Sequence, residues 1–142
     1  MTRKTLINGG VFITAIISAC FVLTSDSYGK RLAFNGGEVF YTKATSEAEA
    51  TRLGESLTEL EYFDGAEKSV QLDKAAGKLI VRFCVQEGAA EDPEIQNAFR
   101  TIQSYLSTYV FEQQPVEFQL CNEYFKPVKI LEARPETSVD SE

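Results

Sequence analysis

The sequence lacks histidine and tryptophan altogether, and its 142 residues include one methionine and three cysteines. Without histidine, the chain has no Ser-His-Asp or Cys-His catalysis, no histidine metal site and no histidine-based pH switch of its own. Its cysteines also form no close Cys-x-x-Cys pair, the spacing typical of cysteine metal sites. We therefore expect no metal and no other cofactor.

Basic residues are few, because 14 lysines and arginines stand against 21 aspartates and glutamates, for a formal net charge of −7. Arg3, Lys4, Lys30 and Arg31 all precede position 32, so the rest of the chain is more acidic still. Proteins bind phosphate backbones through clustered lysine and arginine side chains. The composition therefore argues against nucleic acid as a partner, and the acidity also keeps a small domain soluble.

A long uncharged run, the 21 residues from Thr5 to Ser25, distinguishes the N-terminus. A helix of that length would reach about 31 Å, close to the thickness of a bilayer's hydrocarbon core. Arg3 and Lys4 precede the run, and the positive-inside rule then places the N-terminus in the cytoplasm. We predict that residues 1–31 are a membrane anchor or signal segment and that the folded domain is extracytoplasmic.

The same residues allow two other interpretations of the N-terminal segment. Ile17–Cys20 reads Ile-Ser-Ala-Cys and resembles the lipobox of bacterial lipoprotein precursors, which would make Cys20 the lipidated first residue of the mature chain. The other alternative is a signal peptide cleaved near Ser27–Gly29, where small residues follow the apolar stretch. All three interpretations place the folded domain outside the cytoplasm.

Local signals divide the folded part into strands and two helices. Asn35–Gly37 reads Asn-Gly-Gly and predicts a hairpin turn. Ser46–Glu49 has the Ser-x-x-Glu form of a capping box and should begin the first helix, which we expect to stop near Gly65. Asp92, followed by Pro93, should begin the second helix. The apolar stripes of the two helices are Ala50, Leu53, Leu57 and Leu60, and Ile95, Phe99, Ile102, Leu106 and Tyr109.

The element order predicts the fold class. Strand, helix, strand, strand, helix and strand, with an extra terminal strand, is the split β-α-β pattern of an α+β, ferredoxin-like sandwich with two helices on one face of an antiparallel sheet. Ser46 to Val70 and Asp92 to Val116 have the same spacing, as two similar β-α-β halves require. We assign residues 32–131 to this domain. Residues 132–142 are predicted to be a disordered acidic tail.

In such a fold the helices cover one face of the sheet, and strand alternation identifies the side chains on the other face. We expect that second face to be open and polar, either docking a partner protein or simply solvated. Its candidate contact residues are Gln71, Arg82, Cys84, Gln86, Glu117 and Gln119. The strands carry none of the stacking aromatics there that an RNA-binding sheet would need.

Cys84 and Cys121 are predicted to share this face without bonding to each other. An oxidising compartment would favour a disulfide. In the ferredoxin-like order, however, their two strands flank a third one, which separates the Cα atoms by about 9.6 Å and puts them beyond disulfide reach.

Acidic side chains recur in pairs, and paired carboxylates are one route to acid–base catalysis. Glu47 and Glu49, like Asp92 and Glu94, lie at predicted helix starts, where carboxylates cap the backbone and favour the helix dipole. We therefore expect no catalytic residue. The alternatives are a small enzyme that uses carboxylate chemistry with a serine or lysine, and a purely structural accessory subunit.

Four stretches carry a family resemblance, namely Asn35–Thr42, Ser46–Ala50, Tyr62–Gly65 and Val70–Leu72. Together they resemble an uncharacterised bacterial domain family that is membrane-tethered and has no assigned function, over about residues 32–131. The resemblance implies no catalytic or binding residue. We expect a non-enzymatic, membrane-anchored extracytoplasmic domain that binds another envelope protein through its open sheet face or an exposed edge strand.

Overall fold

The structure is a computed structural model that describes residues 28–133. The strands are β1 (Lys30–Phe34), β2 (Gly37–Tyr41), β3 (Ser69–Ala75), β4 (Lys78–Cys84), β5 (Val116–Cys121) and β6 (Pro127–Leu131), and the helices are α1 (Glu47–Glu59) and α2 (Pro93–Tyr105). A 3-10 turn, Ala89–Glu91, precedes α2, and a π-helical turn, Leu106–Val110, follows it.

The uncharged run Thr5–Ser25 and Cys20 lie outside the described residues, as does most of the predicted acidic tail. Within residues 28–133, no helix combines the length and the apolarity that crossing a bilayer requires. The anchor, lipidation and cleavage interpretations therefore stay predictions.

The six strands form one mixed sheet in which spatial order follows chain order, from β1 to β6. The pairs β1–β2, β3–β4 and β5–β6 are antiparallel, whereas β2–β3 and β4–β5 are parallel. A helix connects the strands of each parallel pair, since parallel neighbours need a crossover connection. Two β-α-β units thus follow each other and are joined by the β3–β4 hairpin. The predicted α+β class is confirmed.

The ferredoxin-like strand order is not confirmed. In a split β-α-β unit another strand lies between the two strands that a helix connects, whereas here those strands are direct neighbours. The expectation of a purely antiparallel sheet is wrong for the same reason, because both helical crossovers join parallel neighbours. A crossover of this length can reach either the adjacent strand or the next one, so the element order is the same for both topologies.

The predicted turn and helix starts are confirmed. Asn35 and Gly36 have φ values of 40° and 88°, the two left-handed residues of a tight hairpin. Ser46 and Glu49 form the reciprocal capping box of α1. The side chain of Asp92 accepts a hydrogen bond from the Glu94 N–H at 2.9 Å and caps α2. These carboxylates therefore satisfy backbone groups, as the sequence indicated.

The two helix ends differ from the expectation. The helix α1 stops at Glu59, several residues before Gly65, and the left-handed residue that follows it is Glu61, with φ of 67°. The π-helical turn after α2 adds a residue per turn and shifts the apolar stripe. Tyr109 is consequently 74% exposed, and Phe111 is fully buried instead.

The core lies between the two helices and one face of the sheet. Its fully buried members include Val39, Leu53, Leu57, Val70, Leu72, Val81, Phe83, Leu106, Phe118 and Leu120. Phe83 of β4 is central, with ring centroids 4.8 Å from Phe99, 4.7 Å from Phe118 and 5.3 Å from Tyr62. Aromatic pairs at such distances add to the stability that burial alone provides.

One buried polar side chain joins α2 to the sheet. Gln103 is 4% exposed, and its Nε2 donates to the carbonyl oxygens of Val116 and Leu131 at 2.8 Å each. Those carbonyls belong to the start of β5 and the end of β6. Gln103 therefore joins α2 to the backbone of both strands inside the core.

Gly54 gives a prediction about how α1 packs. It lies inside α1, and a Cβ at this position would overlap the Phe34 ring of β1. Alanine normally stabilises a helix by about 1 kcal/mol relative to glycine, but the overlap should reverse that sign. We expect Gly54→Ala to lower the free energy of unfolding by about 1–2 kcal/mol, measured by urea denaturation.

The control is the same substitution in a Phe34→Ala background. With the ring removed, Gly54→Ala should be neutral or stabilising, because only the helix propensity remains. A Gly54→Ala variant that is as stable as the unmodified chain would show that the Phe34 ring moves aside freely.

Candidate functional site

The polar face of the sheet is organised around the guanidinium of Arg82 in β4. Strand register places Arg82 between Gln71 of β3 and Gln119 of β5. Its Nη1 donates to Gln71 Oε1 at 2.7 Å and to Asp73 Oδ2 at 3.1 Å, and its Nε donates to Gln119 Oε1 at 2.8 Å. One side chain therefore links three adjacent strands. Together with Glu117 of β5, we call these residues the Arg82 network.

Hydrogen bonds extend the network in both directions along the face. Gln119 Nε2 donates to Glu117 Oε2 at 2.6 Å, and Lys78 Nζ lies 2.9 Å from Glu117 Oε1. On the other side the Thr42 hydroxyl donates to Asp73 Oδ1 at 2.7 Å. Each carboxylate of the network thus accepts at least one hydrogen bond from a donor in a neighbouring strand or at its end.

Both carboxylates of the network are held in the ionised form. Burial alone would raise the pKa of Asp73. Hydrogen bonds from the Thr42 hydroxyl, the Lys74 backbone N–H and the Arg82 guanidinium outweigh burial and lower the pKa of this carboxyl below its ordinary value. Burial also acts to raise the pKa of Glu117. The hydrogen bonds from Gln119 and Lys78 outweigh burial, so the pKa of Glu117 is lowered as well. A general acid needs a raised pKa instead.

Aromatic side chains cover part of the same face. Phe40 of β2 is aligned with Gln71 across the sheet, and its ring lies 5.6 Å from Tyr28 and 6.1 Å from Phe125, in edge-to-face contacts. Phe40 is 1% and Phe125 8% exposed. The Gln71 amide also donates to the Tyr28 carbonyl oxygen at 2.9 Å. The start of the described chain and the β5–β6 loop therefore both lie over the polar face.

These aromatic side chains were missed from the sequence. The signal that identifies Phe40 is the alternation in β2, where Val39 and Tyr41 point to the core side and Phe40 to the opposite face. No comparable signal exists for Phe125, which lies in a loop and has φ of 61°.

Five of the six predicted contact residues lie in strands on the face that alternation assigned to them, whereas Gln86 lies outside the strands, and their face is not open. Gln71 is 6% exposed, and Glu117 and Gln119 are 7% exposed. Arg82 and Cys84 are partly buried, and Gln86, beyond the end of β4, is exposed. The expectation of a solvated face is wrong for the three buried side chains, because Gln71 and Gln119 accept hydrogen bonds from Arg82 and Glu117 accepts one from Gln119. A partner at this face would have to displace the network.

Apart from Tyr109, the large apolar side chains that are exposed in the described part of the chain lie elsewhere, at the edge strand β6 and in the loop before it. Val128 is 52%, Ile130 47% and Tyr124 50% exposed. Within residues 28–133, β6 is the last strand of the sheet and pairs only with β5. Its outer backbone N–H and C=O groups are therefore not part of a sheet ladder in the described part of the chain, which is the usual position for strand addition.

The described residues contain no group of three His, Cys, Asp or Glu side chains arranged to hold a metal ion. Asp73 and Glu117 are instead bound to Arg82 and Lys78. The arrangement can hold strands in register, and it places fixed charges on one face.

The fold and these surfaces define a small α+β domain with an internally hydrogen-bonded polar face and an apolar edge strand. Residues 31–132 match the family described as AF_1994_N, family N-terminal domain, and the chain belongs to that family. The family is uncharacterised, which confirms that part of the predicted resemblance, whereas a bacterial and membrane-tethered character stays a prediction. The comparisons with curated proteins and with solved structures found no match.

Proposed function

We propose that this protein is a non-enzymatic binding domain, tethered to a membrane and extracytoplasmic, whose β6 edge pairs with an extended segment of another envelope protein. The observation that carries the proposal is the exposed apolar edge strand. Strand addition supplies affinity through main-chain hydrogen bonds, and alternate side chains supply specificity. Val128 and Ile130 are available for that second role, since about half of each side chain is exposed.

The charges around β6 indicate the chemistry of the partner. Lys129 is the one charged side chain inside β6 and is exposed; beside the strand, the exposed Lys126 precedes it and the exposed Glu132 follows it. A second copy paired along β6 would bring like charges together, which disfavours a homodimer through this edge. An extended segment with an acidic residue opposite Lys129, between apolar residues, would complement both this lysine and the apolar side chains of β6.

The Arg82 network supports a binding role over catalysis. Its two carboxylates are ion-paired with lowered pKa values, as in structural ion pairs. The tether is supported by the sequence alone, through the uncharged run Thr5–Ser25. Tyr28, where the described chain begins, accepts a hydrogen bond from Gln71 of the polar face through its carbonyl oxygen.

The test is site-specific photo-crosslinking of the full chain in isolated native membranes, with the crosslinker placed at Val128. We expect one acidic, extended segment of a single protein to be captured at near-stoichiometric yield. Paired Val128→Asp and Ile130→Asp substitutions should reduce binding of that segment at least about tenfold. They should change stability little, because both side chains are largely exposed.

Tyr109 provides the matched control, since it is a large exposed side chain in the π-helical turn after α2, which packs against α1 and α2. A crosslinker at Tyr109, or Tyr109→Asp, should leave capture of the segment unaffected. Equal capture at both positions, or capture that survives the β6 substitutions, would contradict binding of the partner along β6. It would favour the alternative of an accessory subunit that contacts its complex through another surface. Recovery of the full chain in the soluble fraction would contradict the tether.

A further inference from the structure

Cys84 and Cys121 stand opposite each other at the ends of β4 and β5. In parallel strands such partners have Cα atoms about 4.8 Å apart, within the range of roughly 4.4–6.8 Å that a disulfide spans. Alternation places both side chains on the face of Arg82 and Gln119. The Val85 N–H donates to the Cys121 carbonyl oxygen at 2.9 Å and holds the two strands together at this point.

The observed topology makes the disulfide possible, although the strand order expected from the sequence excluded it. The ferredoxin-like order placed a strand between the two cysteines, whereas the sheet makes β4 and β5 neighbours. Both cysteines are free, with Cys121 buried and Cys84 partly buried. The Cys121 Sγ donates to the Gln119 carbonyl oxygen at 3.4 Å, so forming the bond would break that contact but would need no change of register.

We infer that Cys84 and Cys121 form an intramolecular disulfide by exchange with a low-molecular-weight disulfide oxidant such as oxidised glutathione. The Cys84 thiolate attacks one sulfur of the oxidant and releases one glutathione thiolate, which takes up a proton. The Cys121 thiolate then displaces the second glutathione and closes the bond. The two thiols lose two protons and two electrons, and the oxidant is reduced to two thiols.

Burial makes this exchange slow in the folded protein. It is the main cause that raises the pKa values of the Cys84 and Cys121 thiols, each to about 12. Because the thiolate is the nucleophile, the rate should increase as the pH is raised toward that value. Cys84 is the more accessible of the two and should react first.

The test uses the full chain with Cys20→Ser, which leaves only this pair of thiols. After incubation of the folded protein with oxidised glutathione, we expect a mass lower by two hydrogens. Trypsin should then yield residues 83–100 linked to residues 101–129, since no cleavable Lys or Arg lies inside either peptide. The oxidised form should unfold at a temperature higher by at least about 5 °C, because the bond closes a long loop.

Two controls separate a bond directed by the fold from chance oxidation. Cys84→Ser should give no linked peptides and no change in unfolding temperature. In urea that unfolds the chain, the same reagent should give glutathione adducts in place of most of the linked product. Folded protein that keeps both thiols, or carries only adducts, overturns the inference and leaves Cys84 and Cys121 as inert buried side chains.

Discussion

Arg82→Met is expected to lower the free energy of unfolding by about 2–4 kcal/mol. Methionine keeps much of the length of arginine but donates no hydrogen bond. The Gln71, Gln119 and Asp73 acceptors would then lose their donor in a place where two of them are almost fully buried. Removing one partner of a fully buried ion pair lowers the free energy of unfolding by about 3–5 kcal/mol. The partial exposure of Arg82 and Asp73 places the expected value lower.

Urea denaturation at neutral pH measures this loss, and Arg52→Met is the matched control. Arg52 is exposed, and its Nη1 donates to the Val110 carbonyl oxygen at 3.3 Å. Its replacement should cost less than about 1 kcal/mol. Equal effects of the two substitutions would mean that the Arg82 network contributes nothing beyond an ordinary surface arginine.

The acid dependence of stability provides a second measurement on the same variant. The pKa of Asp73 is lowered in the folded state, so the unfolded chain takes up its proton at a higher pH. The stabilisation that ionised Asp73 gives the folded state is therefore complete above its ordinary pKa of 3.8. It is lost as the pH falls through the lower pKa that Asp73 has in the folded state. In Arg82→Met the pKa of Asp73 should be lowered less. The difference in free energy of unfolding between the unmodified protein and Arg82→Met should therefore become smaller below about pH 4.

Phe83→Ala is expected to lower the free energy of unfolding by about 3–5 kcal/mol. The side chain is fully buried, and it touches aromatic rings from α2, from β5 and from the chain after α1. Those rings come from separate elements, so collapse into the cavity would require several elements to move together. The cavity should remain largely open, which places the cost in the upper part of the range for large-to-small substitutions.

Tyr109→Ala is the control for this substitution, because it removes an aromatic side chain that is mostly exposed. It should change the free energy of unfolding by less than about 0.5 kcal/mol. Phe83→Leu should fall between the two, since leucine refills part of the volume. A loss below about 1 kcal/mol for Phe83→Ala would indicate that the aromatic cluster repacks and is not the centre of the core.

Local features of this protein were determined by the sequence alone. The Asn35–Gly36 turn, the Ser46–Glu49 capping box and the Asp92 cap depend on neighbours within a few residues, and each is present in the structure. Strand alternation likewise assigned Gln71, Arg82 and Gln119 to one face. These features could be predicted because the interactions that determine them lie within one turn or one strand.

Only the tertiary structure decided which strands are neighbours and what covers the polar face. The two helical crossovers fit both adjacent and separated strands, so the pattern could not show that β4 lies beside β5. That pairing aligns Arg82 with Gln119 and Cys84 with Cys121. The covering rings come from Tyr28, Phe40 and Phe125, far apart in the chain. Such contacts depend on long-range packing, for which a single sequence carries no local signal.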